Sequence, residues 1–349
     1  MIGAVVPQAH SDGRRVFPTE YLSFLREAGL VGTHETPEAT PLTGGISSDI
    51  WVVDAARGRL VIKHPLAELT VGNWHAPLER SQYEAHWFRT VNALVPGACP
   101  TVLASDERAN LIAMQYLDPA AHTLWKTELL AGRVNVALAA AVGDRLGLIH
   151  ERTAADPALA AQFDTEDLFV ALRMHPYFET LAQRHPELSS TIAQIVTTTL
   201  TTRLALVHGD VSPKNILTGA DGPILLDAEC AWWGDPAFDL AFCLNHLLLK
   251  FLVLPQHHEE LSTAFGALLV AYQQHTAWES PAALLDRTAT LLPALLLARV
   301  DGRSPVEYLD VTQRATVRDF ALPRVAASLT VHRETDPMDI LAAWKDHLS

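Results

Sequence analysis

The chain has 349 residues, 49% of them apolar and 19% charged, with a formal net charge of −14. That length exceeds one typical core and predicts two lobes. The acidic balance argues against a nucleic-acid partner, since phosphate backbones select basic surfaces. Three cysteines without a CxxC pair argue against structural zinc and fit a reducing, cytoplasmic setting. The start lacks a basic segment followed by an apolar run, so no secretory leader is expected. The most apolar run, "LLPALLLARV", reads as a buried helix too short to span a bilayer, so no membrane partner is expected.

In chain order, Pro18–Leu30 has helical spacing, with Thr19 as a candidate cap and Gly29 near the end. "TGGISS" forms a polar, glycine-bearing loop just before "DIWVVD" and "RLVIKH", two β-rich runs joined by "AARG" as a hairpin. "APLERSQYEAHWFRTVNAL" is helical, with Tyr83, Phe88 and Val91 near one face. "TVLASD" and "NLIAMQYL" read as two more strands. From Asp118 the chain turns helical, with "VNVALAAAVGDRLGLIHER" the clearest case. "TEDLFVALRMHPYFETLAQ" and "LSSTIAQIVTTTLTTRL" follow as helices. "PILLDAECAWWGDPAFDLAFCLNHLLLKFL" is then a strand, a loop and a helix, and the remainder is helical. The expected domains are residues 1–117 and 118–349.

One stretch breaks the pattern: "LVHGDVSPKNIL", Leu206–Leu217, sets polar groups in an apolar frame. Burying an unpaired carboxylate is costly, so Asp210 and Asn215 must have partners. Asn215 follows Asp210 by five residues, and Asp227 in "ILLDAE" follows by twelve more. Upstream lie the glycine loop, Lys63 on a strand and Glu84 on a helix. Phosphoryl transfer needs such parts: backbone amides over the phosphates, a lysine fixed by a carboxylate, an Asp at the acceptor hydroxyl, and oxygen ligands for magnesium.

With those motifs the chain resembles the aminoglycoside phosphotransferase and choline kinase family. That resemblance implies an α+β, protein-kinase-like bilobal fold with a small β-rich N-lobe and a larger α-helical C-lobe. It implies ATP and Mg2+ as cofactors and a small-molecule hydroxyl as acceptor. "HGDVSPKNIL" resembles the family's catalytic loop, with Asp210 as base and Asn215 as metal ligand. "LLDAE" resembles its metal-binding strand, with Asp227 as main ligand. In "GDPAFDLA", Asp235 and Asp239 would brace the catalytic loop. Gly44, Gly45 and Ser47 would cover the phosphates. Lys63 would hold them, with Glu84 as its partner in preference to Glu79, and Gln115 and Tyr116 would meet the adenine.

"HGD" in place of "HRD", and "DAE" in place of "DFG", set the chain apart from protein kinases and point to small acceptors. Trp232 and Trp233 would line an acceptor pocket or pack the lobe. Glu229 would share the face of Asp227 if the strand continues. Arg299 would bind an anionic acceptor if it faces the site. The alternatives are a non-catalytic nucleotide-binding protein of the same fold and a kinase for a protein-bound sugar.

Overall fold

The computed structural model describes residues 15–42, 47–69, 74–328 and 335–349. It separates into two compact units: 1–89 with 100–118, and 90–99 with 119–349. The second unit thus includes a short segment, 90–99, that the expected break after Leu117 leaves in the first.

The first unit is built on a five-stranded antiparallel sheet. Its strands are β1 (Glu38–Pro41), β2 (Ser48–Ala55), β3 (Gly58–Pro65), β4 (Val102–Asp106) and β5 (Leu111–Gln115), arranged β1-β2-β3-β5-β4. Alternation sorts the two faces. Trp51 and Val53, Leu60 and Ile62, and Leu111 and Ala113 form one apolar face. It packs with Tyr21, Phe24 and Leu25 of helix α1 (Thr19–Glu27). Lys63 is out of phase with Leu60 and Ile62 and therefore projects from the opposite face. Helix α2 (Arg80–Leu94) buries Glu84, Trp87, Phe88 and Val91, the i, i+3, i+4, i+7 stripe, while Tyr83 is only half-buried. A carboxylate at a core position of that stripe needs a cation.

The second unit is helical around a few short strands. The main helices are α3 (Val136–Thr153), α4 (Ser189–Thr201), α5 (Pro236–Phe251), α6 (His258–Gln273), α7 (Pro281–Asp301), α8 (Val311–Ala327) and α9 (Pro337–Leu348). All 16 residues of α5 are buried, which makes it the axis of the unit. Gly143 lets α3 approach α6 closely, since a Cβ there would lie 2.0 Å from the Leu268 carbonyl oxygen. Asn135 caps α3 through Leu138 N–H, and Asp235 caps α5 through Ala237 N–H. Trp344 of α9 donates to the Leu248 carbonyl at 3.0 Å, fastening the tail to α5.

Two expectations change. "LLPALLLARV" belongs to a 21-residue helix, α7, which is long and apolar enough to cross a membrane by length and composition alone. In this structure 61% of its apolar window is buried, as in the core helix of a globular unit. The helix expected over "TEDLFVALRMHPYFETLAQ" is α-helical at Glu166–Phe169, π-helical at Val170–Glu179 and α-helical again at Thr180–Arg184. The three cysteines are all buried thiols. Burial raises each thiol pKa, that of Cys230 to about 12.

Candidate active site

In the first unit Lys63, 5% exposed, meets Glu84, 1% exposed, with Nζ–Oε distances of 2.8 and 2.9 Å. The sheet fixes Lys63 between Ile50 and Ile112, so the ammonium has little freedom. Glu79 is exposed, so the preference for Glu84 agrees with the geometry. Gly44 and Gly45 lie outside the described residues. Ser47 is described: its carbonyl accepts from Arg80, whose guanidinium also takes the carbonyls of Leu66, Ala76 and Pro77. Arg80 is fully buried and anchors the segment that follows the glycine loop, a role the sequence reading missed. Gln115 closes strand β5 through a 2.8 Å bond from its N–H to Thr101 O. The Tyr116 ring lies under Arg59, 4.9 Å from the guanidinium carbon.

In the second unit, strand Ala205–Val207 leads into the loop expected to carry the chemistry, and it pairs with Trp232–Gly234. The chain reverses at Gly209, at φ +78°, where a Cβ would meet the Cys230 carbonyl oxygen at 2.7 Å. Asp239 of α5 holds this turn. Its two oxygens accept from His208 N–H at 2.7 Å and Gly209 N–H at 2.8 Å, and His150 lies 3.3 Å from it. Asp235 does not brace the loop. A proline follows it and starts α5, so it serves as the helix cap and pairs with Arg287 at 3.0 Å. His208 receives the Asp210 N–H on Nδ1 at 3.2 Å, so Nε2 carries the proton donated to Leu226 O at 3.0 Å. Burial keeps this ring neutral, so it fixes the loop.

Asp210 is 4% exposed. Its Oδ2 sits 2.9 Å from Arg173, 2.8 Å from Lys214 and 2.8 Å from the Asn215 amide nitrogen. Burial raises the pKa of this carboxyl, but Arg173 and then Lys214 outweigh that and hold it below the usual range. Asp210 is therefore an ionised, triply anchored carboxylate at neutral pH. Arg173 also donates to Gly209 O at 2.5 Å and Leu172 O at 2.7 Å. Asn215 sits on the short turn Pro213–Asn215, and its carbonyl accepts Leu226 N–H at 2.8 Å, coupling the loop to Asp227.

Asp227 does not lie on a strand. The strand ends at Leu225, and Asp227 adopts φ +66°, a left-handed conformation that strains a non-glycine residue. The expected same-face relation with Glu229 therefore fails, yet the turn still brings a carboxylate oxygen of each within 4.8 Å of the other. Trp232 is fully buried, stacked on Phe169 at 4.3 Å, and Trp233 is 6% exposed with its backbone N–H donating to Phe163 O. Both tryptophans pack within the unit. Arg299 is 7% exposed and donates to the Tyr177 hydroxyl at 2.9 Å. Arg173 and Lys214 were missed by the sequence reading. Lys214 had a signal, since it is four residues after Asp210 within the motif.

The fold defined by these two units is that of the protein-kinase-like phosphotransferases. An amicoumacin kinase structure aligns over 91% of this chain and 96% of its own, at 17% identity and a TM-score of 0.55. A choline kinase from Cryptosporidium parvum aligns over 95% and 94%, at 13% identity and a TM-score of 0.52. The model of the phosphotransferase enzyme family matches residues 38–253, and the chain belongs to that family. Among curated relatives, methylthioribose kinase of Yersinia enterocolitica is 27% identical over 269 residues, 68% of this chain and 66% of the relative. Methylthioribose kinase 2 of Oryza sativa is 25% identical over 240 residues, 60% and 56% respectively. The matched part is thus just under two thirds of the first relative's length and a little over half of the second's.

Proposed function

We propose that the chain is an ATP-dependent kinase that transfers the γ-phosphoryl group of MgATP to a hydroxyl of a small molecule. The observation that carries the reading is Asp210: a buried carboxylate kept ionised by Arg173 and Lys214 and oriented by Asn215. In the reaction the acceptor oxygen bonds to phosphorus, the bond to the ADP oxygen breaks, and the hydroxyl proton passes to Asp210. A weakly basic carboxylate suits this role, because proton transfer comes late in a loose phosphoryl-transfer transition state. Lys63, steadied by Glu84, binds phosphate oxygens, and the backbone at Gln115 and Tyr116 meets the adenine. In this reading residues 1–117 bind the nucleotide, and 118–349 carry the catalytic and acceptor-binding groups.

The donor set beside Asp210 fits magnesium, a hard cation that takes oxygen ligands. The Asn215 amide nitrogen is engaged by Asp210, which leaves its oxygen for a cation, and Asp227 and Glu229 add carboxylates. Asn215 and Asp227 would hold the ion, and its charge would neutralise the phosphates. The named relatives point to a sugar hydroxyl as acceptor. The test is ADP release with MgATP across a panel of sugars, amino alcohols and aminoglycosides. Asp210→Asn is expected to slow turnover about 10²–10⁴-fold with nucleotide affinity retained. Turnover unchanged in that variant overturns the reading.

A further inference from the structure

A second cluster of polar groups lies in the helical unit, on α5, at the end of α7 and on the segment after it. His246, Lys250 and Arg299 are 6%, 1% and 7% exposed. His246 Nε2, Arg299 Nε and the hydroxyl of half-buried Tyr308 have no hydrogen-bond partner among the described residues. The Lys250 ammonium lies 3.6 Å from the centroid of the Tyr308 ring. Unsatisfied buried polar atoms are rare in folded chains, and several in one place call for an explanation.

The cluster is joined to the base through Arg173 and two rings. Arg173 stands 5.8 Å from the ring centroids of both Tyr177 and Phe242. Tyr177 accepts the hydrogen bond from Arg299, and Phe242 meets the His246 ring at 5.4 Å. The charges are one-sided. Arg173 is matched by Asp210, and Lys126 by Glu307. Lys250 and Arg299 are matched by no carboxylate among the described residues. A buried arginine and a buried lysine with no carboxylate at ion-pair distance among the described residues are a state that a partner carrying negative oxygens would complete.

We propose that this cluster is the acceptor subsite, and that it receives an anionic group, a carboxylate or a phosphate, on a compound whose hydroxyl meets Asp210. The inference rests on the kinase reading above and narrows its acceptor. Arg299 Nε and the Lys250 ammonium supply donors for the anion, and the Tyr308 hydroxyl and His246 take the remaining polar atoms. Burial brings Lys250 down to about 7, with Lys126 and Arg299 adding to the effect and Glu307 opposing it. An anion beside Lys250 restores its charge, so binding near neutral pH takes up protons. Burial and the cations Arg299, Lys250, Lys214 and Lys126 keep His246 uncharged, so it contributes a hydrogen bond and no charge. A cationic acceptor meets repulsion here.

Three probes differing in charge test this on the full chain: ribose, ribonate and ribose 5-phosphate. Calorimetry is run at pH 7 in two buffers of different ionisation enthalpy. At least one anion is expected to bind about tenfold or more tighter than ribose, with proton uptake, and the tighter of the two names the group as carboxylate or phosphate. Lys250→Met is expected to erase both the preference and the uptake while holding or raising the melting temperature. A lysine kept only for packing would lower that temperature on replacement. Lys250→Gln is the second variant if the first fails to fold. Equal binding of all three probes, or a preference that survives both variants, overturns the proposal. ADP release separates it from the kinase reading. Turnover with neutral or cationic hydroxyl compounds alone keeps the kinase and removes the anion subsite. Anion binding with proton uptake but no turnover of any compound keeps the subsite and removes the kinase.

Discussion

Arg173 is the residue on which Asp210 depends most, and Arg173→Met isolates that dependence. Methionine keeps much of the volume and flexibility of the stem while removing the charge. Three acceptors lose a donor: Asp210 Oδ2 at 2.9 Å, Gly209 O at 2.5 Å and Leu172 O at 2.7 Å. Breaking a buried pair from one side costs about 3–5 kcal/mol. Lys214 and Asn215 remain on Asp210, so the lower end, about 3 kcal/mol, is the expected loss of stability. The loss should depend on pH. In the wild type the Asp210 pKa is depressed in the folded state, so its contribution to stability is present above the unfolded value, about 3.9, and fades as pH falls through the folded pKa. Removing Arg173 lets burial raise that pKa, so the variant should be hurt most at neutral pH and least near pH 4. Urea unfolding at pH 7 and pH 4 measures both stabilities. Turnover should fall about 100-fold, the order expected when a reacting group is displaced by about an ångström. A variant as stable as the wild type at pH 7, with unchanged turnover, would refute the claim that Arg173 holds Asp210 in place.

Two further outcomes follow from the same contacts. Asp239→Asn keeps the shape but replaces one of two accepting oxygens by an NH2 group, facing either His208 N–H or Gly209 N–H. It should cost about 2 kcal/mol and lower kcat more than it raises the KM for ATP, read from denaturation and steady-state kinetics. His275 is held between Asp144 at 2.9 Å and Glu151 at 3.1 Å, and its pKa is raised because hydrogen bonds to these carboxylates outweigh burial, which lowers it. Its stabilising contribution is therefore present below the unfolded pKa and lost as pH rises through the folded one. His275→Gln should lower the melting temperature at pH 5.5 and leave it nearly unchanged at pH 9.

What was legible in the sequence was whatever lies within one contiguous stretch or obeys one period. Asp210 and Asn215 stood out because they interrupt an apolar frame, and the turn between them is short enough to bring them together. Lys63 and Glu84 were legible through their resemblance to the family's lysine and its helix partner, and the structure puts them in contact. Asp239 was found through the order of its motif, but Asp235 was misread, since an Asp before a proline at a helix start is first a cap. Glu229 was placed by assuming that the strand runs on, whereas Asp227 leaves it for a left-handed turn. Arg173 left no trace: it is 37 residues from Asp210 in sequence, on a segment whose wide π-turns obey no 3.6-residue period. Trp232 was left between pocket wall and packing because pattern alone does not show that it pairs across to Val207 and stacks on Phe169.

The three buried thiols turn the chain into its own stopwatch. Cys99 lies in the segment 90–99, Cys230 follows Glu229 and packs against Gly209 of the Asp210 loop, and Cys243 is a buried residue of α5. A buried thiol with a raised pKa reacts with an alkylating reagent mainly when its surroundings open. Each position therefore clocks a different event: loosening of the segment 90–99, opening beside the Asp210 loop, and disruption of the central helix. Mass spectrometry of peptides alkylated over time, without any engineered label, would rank those openings and show which of them a bound nucleotide slows.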